Sequence, residues 1–302
     1  MTPVAEVGGR LSEAAAAALA AHASGSAAGR RRRWLRRYLL PALGGGVIVL
    51  WLLAALLARW VTPYAPDTVD VAGRLAAPSL AHWMGTDENG RDVLSRVIFG
   101  ARASLLAGVV SVLIAAGIGV PAGLLAGFAG GWTDVVLSRI VDAMLACPFL
   151  ILAIALAAFL GPDLTNAMIA IGVSTAPRFM RVTRAATLDA SSNEYVEAAR
   201  AIGNPPWRIA LFHILPNILP ALLVQATLSI AAAIIAEAAL SFLGLGQQPP
   251  APSWGSMLNS AQRFLTNAPW MALWPGLAIF LVVLSFNLVG DGLRDALDPK
   301  SR

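Results

Sequence analysis

A single lysine, a single cysteine and three histidines bound the chemistry open to this chain of 302 residues. Lys300 lies at the C-terminal end, far from any glycine-rich turn. A phosphate-binding loop needs a lysine directly after such a turn, so the chain carries no Walker-type nucleotide site. His22, His82 and His213 are scattered over three segments without the spacing of a shared metal site. Cys147 stands alone, which excludes an internal disulfide and a cysteine cluster, and reads as a small core residue. The stretch GTDENGRD, residues 85–92, has the composition of a calcium loop, but Gly90 falls at the wrong offset and the required distal glutamate is missing.

Two acids interrupt apolar runs. Asp142 follows Arg139 by three residues, a spacing at which the two can pair on one helix face. Glu237 has Ser241 one turn later, and an acid within an apolar segment is by default a candidate for a transport path. Path lining and structural pairing are equally open for Glu237. Proton-coupled transport would need a chain of such groups, and one glutamate with one edge aspartate does not supply it.

The elements that must position these residues are membrane helices. The chain is 57% hydrophobic with a mean hydropathy of +0.69, and a hydrocarbon core needs about 20 apolar residues per crossing helix. Six such stretches are expected, at about 39–58, 103–128, 135–160, 164–180, 217–242 and 271–289. Counted on loops, 16 basic residues fall on the side of the N-terminus and six on the other, so both termini are expected in the cytoplasm. The net charge of +5 and the cluster Arg30–Arg33 with Arg36 and Arg37 suit a juxtamembrane anchor to anionic lipid; no nucleic-acid recognition module accompanies them. Trp34, Trp60, Trp132, Trp207, Trp254, Trp270 and Trp274 fall near the expected span ends, where indoles prefer the headgroup region.

The organisation that follows is an all-α membrane protein. Residues 1–38 form a cytoplasmic tail rich in Ala, Gly and Ser, 39–58 the first span, 59–102 an outer segment, 103–290 a core of five spans, and 291–302 a cytoplasmic tail. Gly119, Gly123 and Gly127 recur every four residues, which places a narrow strip on one helix face for close packing. Arg178, Arg181 and Arg184 recur every three residues and read as snorkelling side chains, with a basic wall at an inner mouth as the second reading.

Within the core, 193–216 is long and mixed for an inner loop: NEYVEAARAIGNPPWRIALFHILPN runs from Asn193 to Asn217. Good helix formers from Glu194 to Ile202 are followed by Gly203 at a C-terminal cap position. Asn204 is then expected to cap a second helix with Pro205 at its first position, and Pro216 to end it before the membrane. Tyr195, Ala198, Ala199 and Ile202 share a face of the first helix, a shape suited equally to docking a partner and to lying on the membrane surface.

Glu197, Ala198, Ala199, Gly203, Ile214, Leu215 and Pro216 resemble the EAA loop of binding-protein-dependent ABC importer permeases, at that family's spacing. HWMGTDENGRDVLSRVIFGARASL (82–105), EAALSFLGLGQQPPAPSWGSML (237–258) and GDGLRDALDP (290–299) resemble signatures of the second permease in dipeptide, oligopeptide and nickel importers. The resemblance covers about residues 30–299 and implies a type I importer core of five helices plus one N-terminal helix, in the bacterial inner membrane. It implies four kinds of partner: a homologous second permease, two ATP-binding subunits, an extracytoplasmic substrate-binding protein and membrane lipid. ATP and Mg would belong to the ATPase subunits, with no cofactor or catalytic residue in this chain.

In that family the EAA helix fits a groove of the ATPase. Carried over, Tyr195, Glu197, Ala198, Ala199, Gly203, Asn204 and Pro216 would form the coupling element. Thr86, Asp87, Gly90, Arg91, Asp92, Pro249, Pro250 and Trp254 would form outer loops contacting partners, with Glu237 and Ser241 as path candidates. Di- and oligopeptides are the expected cargo, with nickel or glutathione as alternatives and a proton-coupled secondary transporter as the rival of another class.

Overall fold

A computed structural model of the chain describes residues 39–297. The N-terminal tail with its basic cluster, Trp34 and His22, and the last residues with Lys300, lie outside them. Among the described residues every regular element is helical, apart from one isolated bridge pairing Thr86 with Asp92.

Two short helices, α1 (Leu40–Leu56) and α2 (Ala58–Val61), precede the outer segment. A 37-residue helix, α3 (Val93–Ala129), follows, then α4 (Gly131–Ala146), α5 (Phe149–Leu160) and α6 (Leu164–Ser191). The inner loop holds α7 (Glu194–Ala201) and α8 (Pro206–Ile209), and α9 (Leu215–Phe242) leads out of it. An outer helix, α10 (Trp254–Ala261), precedes α11 (Trp270–Leu297).

Length and hydropathy mark 93–129, 206–242 and 270–297 as helices able to cross a membrane unaided. The expected third span is different. It is two helices, α4 and α5, meeting at 92°. Cys147 and Pro148 at the junction adopt extended backbone, and a proline disfavours helical geometry in the residue before it. The expected fourth span is less apolar than its neighbours because α6 is buried along much of its length, where Ser174, Thr175, Thr183 and Thr187 replace aliphatic side chains. Asp163 caps its outer end, accepting from the Thr165 amide at 2.7 Å, and that bond holds its carboxyl below the usual carboxylate range.

The centre of the fold is the contact between α3 and α6. A Cβ on Gly119 would stand 2.5 Å from the Ala176 carbonyl, one on Gly123 2.5 Å from Thr183 Cβ, and one on Gly127 2.8 Å from Thr187 Cβ. Residue numbers rise together along the two helices, so they run parallel. A parallel pair needs a return path, and the bent α4–α5 unit provides it. The expected close-packing strip is therefore a backbone-to-backbone seam.

The three arginines of α6 join that return path to the seam. Arg184 donates to both carboxylate oxygens of Asp134, at 2.5 and 2.6 Å, Arg181 pairs with Asp142 at 2.9 Å, and Arg178 lies over the Phe149 ring at 5.0 Å. Asp142 thus pairs across helices with Arg181 and not with Arg139. Neither a basic wall nor simple snorkelling describes the row: all three side chains are spent on α4 and α5.

α1 packs antiparallel on α11, with Gly44 against the Ser285 carbonyl and Gly292 against Pro41. Arg102 of α3 reaches back to the free carbonyls at the end of α1, donating to Ala55 at 2.5 Å and Leu56 at 3.1 Å.

The seam sets a specific expectation for stability. Gly123→Val forces a branched side chain into the α6 backbone and should destabilise the fold by about 1–3 kcal/mol, whereas Gly117→Ala, with open space around it, should be neutral. Thermal unfolding of the detergent-solubilised variants checks this; equal melting temperatures for both would contradict the seam.

Candidate functional site

The inner elbow begins where α6 ends. Asn193 turns the chain, its side-chain amide donating to the Asp189 and Ala190 carbonyls at 3.2 and 3.1 Å. α7 is then held by two side chains, Val196 and Ala199, both buried in a cluster with Leu124, Ala190, Ile209, Ile214, Ile218 and Leu222. That cluster joins α7 to three long helices, α3, α6 and α9.

α7 closes in a Schellman arrangement. The Gly203 amide donates to the Arg200 carbonyl at 2.9 Å and the Asn204 amide to the Ala199 carbonyl at 3.2 Å, with Gly203 at φ +81°. That φ is strained for any residue with a side chain. Asn204 is spent on this closure and is not the cap of the next helix. Pro205 is the cap and Pro206 the first residue of α8, one position later than the sequence spacing predicts.

Nor does Pro216 end the second helix. A single wide π turn, Ala210–Ile214, precedes it, and the chain continues helically from Pro206 to Phe242. Proline in a regular helix clashes with the carbonyl four residues back, and the local widening accommodates it within a continuous rod. The second half of the elbow is thus helically continuous with α9.

The outward side of the elbow is apolar and uncovered. Ile202 is 78% exposed, and Tyr195 and Ala198 lie beside it on the open face with Glu194 and Glu197. Ala199, expected on this surface, faces inward; Val196, which the spacing argument passed over, is its companion there.

On the outer side, the expected contact residues form an internal brace. Thr86, Asp87, Gly90, Arg91 and Asp92 are all buried. Asp87 accepts from the Arg91 amide at 2.9 Å and the Arg91 Nε at 2.6 Å, and lies 3.4 Å from the Arg96 Nε. Asp92 caps α3 through Ser95 and meets His82 Nδ1 at 2.9 Å. Trp270 of α11 donates to the Thr86 carbonyl at 3.1 Å. Gly90 has no room for a side chain against the Asp70 backbone. The acids that suggested a cation loop are engaged by arginine and by helix amides. Pro249 and Pro250, joined by a cis peptide, are exposed, as are Leu80 and Trp83.

Trp254 is not an outer contact. It is fully buried, stands edge-on to Trp51 with centroids 5.1 Å apart, and donates to the Val97 carbonyl at 3.0 Å. It adjoins Glu237, which is also fully buried. Glu237 accepts from Ser104 Oγ at 2.9 Å and Ser241 Oγ at 2.6 Å, and Ser104 in turn accepts from the Trp254 amide at 3.3 Å. Ser241 accepts from the Gln247 amide at 3.1 Å. These bonds tie α3, α9, the outer loop and α10 into one node, closed to open space. Ser104 and its role carried no signal in the sequence beyond the expectation that an intramembrane acid has a partner.

At the same end as the elbow, a cleft of about 640 Å³ opens between α6, α9 and α11, lined by Val182, Asn217, Val224, Gln225, Leu228 and Arg294 among others. It mixes amide and guanidinium groups with aliphatic walls.

The comparisons with known proteins agree with this arrangement. Residues 119–302 match the family described as binding-protein-dependent transport system inner membrane component. The dipeptide transport system permease protein DppC of Alkalihalophilus pseudofirmus is 47% identical over 251 residues, covering 83% of each chain. The probable D,D-dipeptide transport system permease protein DdpC of Escherichia coli is 46% identical, over 84% of this chain and 85% of that one. The glutathione transport system permease protein GsiD of Pectobacterium atrosepticum is 46% identical, over 83% and 84%. Among solved structures, an inward-facing conformation of the MetNI methionine ABC transporter superposes with a TM-score of 0.57 at 25% identity, covering 68% of this chain and 97% of that one.

For the outer node, Glu237→Ala leaves two serine hydroxyls without their acceptor and a cavity beside Trp254, and should cost about 2–4 kcal/mol. Glu237→Gln keeps the shape and one acceptor and should cost less than half as much. Unfolding midpoints of the two variants measure the difference, and an alanine variant as stable as wild type would contradict the node.

Proposed function

The chain belongs to the family of inner-membrane components of binding-protein-dependent transport systems, and from that premise we propose how its parts move a peptide-like cargo. It is an ABC importer permease subunit with the type I importer fold. The exposed apolar face of α7 carries the proposal: Tyr195, Ala198 and Ile202 present a small, uncovered surface whose opposite side is locked to α3, α6 and α9 through Val196 and Ala199.

Each of two ATP-binding subunits receives one such elbow, from this chain and from a homologous permease. ATP and Mg act on those subunits. Closure of the ATPase pair moves α7, and because the chain is helical from Pro206 through Phe242 the displacement passes into α9 as a rigid-body rotation. The Glu237 node holds the outer end closed while the cleft beside Asn217, Gln225 and Arg294 is open, so this conformation resembles the inward-facing side of an alternating-access cycle. Both termini then face the cytoplasm, and the exposed outer loops around Leu80, Trp83 and Pro249 meet the extracytoplasmic binding protein.

Di- and oligopeptides are the cargo this reading favours. The permeases compared above are named for dipeptide, D,D-dipeptide and glutathione transport, and all three cargoes share an amide-linked backbone. An inner cleft with amide and guanidinium groups suits such a backbone and its carboxylate. Glutathione is the second reading, on the same ground. Proton-coupled transport is disfavoured, because Glu237 is engaged by Ser104 and Ser241 and no further acid is seen beside it in the node.

In the assembled transporter, Ile202→Asp should abolish most ATP-dependent peptide uptake while the subunits still fold, and Gly203→Val, strained at its positive φ, should weaken ATPase association at least severalfold. Uptake in vesicles and co-purification of the ATPase measure the two effects. Uptake that persists in both variants, or that collapses with a protonophore and ignores vanadate, would overturn the reading.

A further inference from the structure

A second cleft, of about 410 Å³, lies on a different face of the elbow. The inner end of α3 forms one wall with Pro121, Leu125 and Phe128, and α8 with the π turn forms the other with Trp207 and Leu211. Its lining is almost wholly apolar. Trp207 is 60% exposed and Leu125 58% exposed, and Trp207 meets Phe212 edge-on at 6.4 Å.

The level of this cleft is fixed by α3. Pro121, Leu124 and Leu125 belong to the long apolar helix that crosses the bilayer, and the helix ends at Ala129. The cleft therefore straddles the inner boundary between hydrocarbon and headgroups. Two arginines adjoin its lining residues Phe128 and Trp207. Arg200 lies over the Phe128 ring at 5.5 Å, and Arg208 is exposed on the same short helix as Trp207. Among the described residues neither guanidinium has an ion-pair partner, in contrast to Arg181 and Arg184.

An apolar slot at membrane depth, an exposed indole at its mouth and two arginines that, among the described residues, lack an ion-pair partner are complementary to one kind of molecule. We propose that this cleft binds an anionic phospholipid of the inner leaflet, with an acyl chain along Leu125 and Leu211 and the phosphate at Arg200 and Arg208. Guanidinium groups bind phosphate through several N–H donors, indoles favour the interface, and basic residues at the cytoplasmic leaflet attract anionic lipid. The surface is distinct from the ATPase-facing side of α7, which carries Tyr195, Ala198 and Ile202. Because the lipid touches both α3 and the elbow, its presence would brace the joint between them.

The test uses the complete transporter reconstituted in mixed dioleoylphosphatidylcholine and dioleoylphosphatidylglycerol vesicles, with retained lipid counted by native mass spectrometry. The wild-type complex should keep phosphatidylglycerol in preference to phosphatidylcholine. The double variant Arg200→Gln, Arg208→Gln should lose that preference by about tenfold, and Ala129→Trp, which fills the cleft and keeps both arginines, should lower retention of either lipid. A photoreactive residue at Leu125 should capture phospholipid. Wild type without preference, or a double variant that retains lipid as wild type does, would overturn the proposal. So would capture at Leu125 of the ATPase or the partner permease, which would make the cleft a protein interface.

Discussion

Everything in this chain hangs on two helices touching through glycine. Where Gly119, Gly123 and Gly127 meet Ala176, Thr183 and Thr187, no side chain separates the α3 and α6 backbones. Dispersion falls steeply with distance, so contact this close is what lets two largely small-residue helices hold together in lipid, where burial of apolar surface drives little. Since the pair is parallel, the segment between its members must return across the same thickness. That need accounts for the bent α4–α5 unit and for the three arginines of α6 that fasten it.

The same seam positions the elbow. Leu124 of α3 and Ala190 of α6, near the inner ends of the pair, make the floor on which Val196 and Ala199 rest. That floor ties α7 to both helices of the pair. At the opposite end, the Glu237 node ties α3 to α9 and α10 through hydroxyls and a tryptophan amide. The molecule thus has a fastened outer end, a stiff middle and an inner lever with one bare face.

Much of this was legible in the sequence, because the underlying signals are local. The apolar runs, the four-residue glycine repeat and Gly203 at the end of a helix-forming stretch each reflect forces acting within a few residues. What escaped was set by contacts between distant segments. The 92° bend at Cys147–Pro148 looks like continuous hydrophobicity in sequence. Asp142 had Arg139 as a plausible neighbour, yet α6 brings Arg181 to it from across the fold. Thr86, Asp87, Arg91 and Asp92 look like loop residues by type, yet they are buried, with Asp87 paired to Arg91 and Asp92 capping α3 beside His82. The second elbow helix starts one position later than the spacing predicts because Asn204 belongs to the Schellman closure before it, and the chain stays helical through Pro216 because a π turn absorbs the clash that would otherwise end a helix.

The central claim is that the bare face of α7 is where the ATPase pushes. The sole cysteine makes a direct test simple: in a Cys147→Ser background, single cysteines at Ala198, Ile202, Val196 and Pro249 are treated with a short thiol cross-linker in the assembled transporter. The account predicts cross-links to the ATPase from 198 and 202, with yields that change on adding ATP, and none from buried 196 or from outer 249. Absence of cross-links from both 198 and 202, or equal yields from 249, would contradict it.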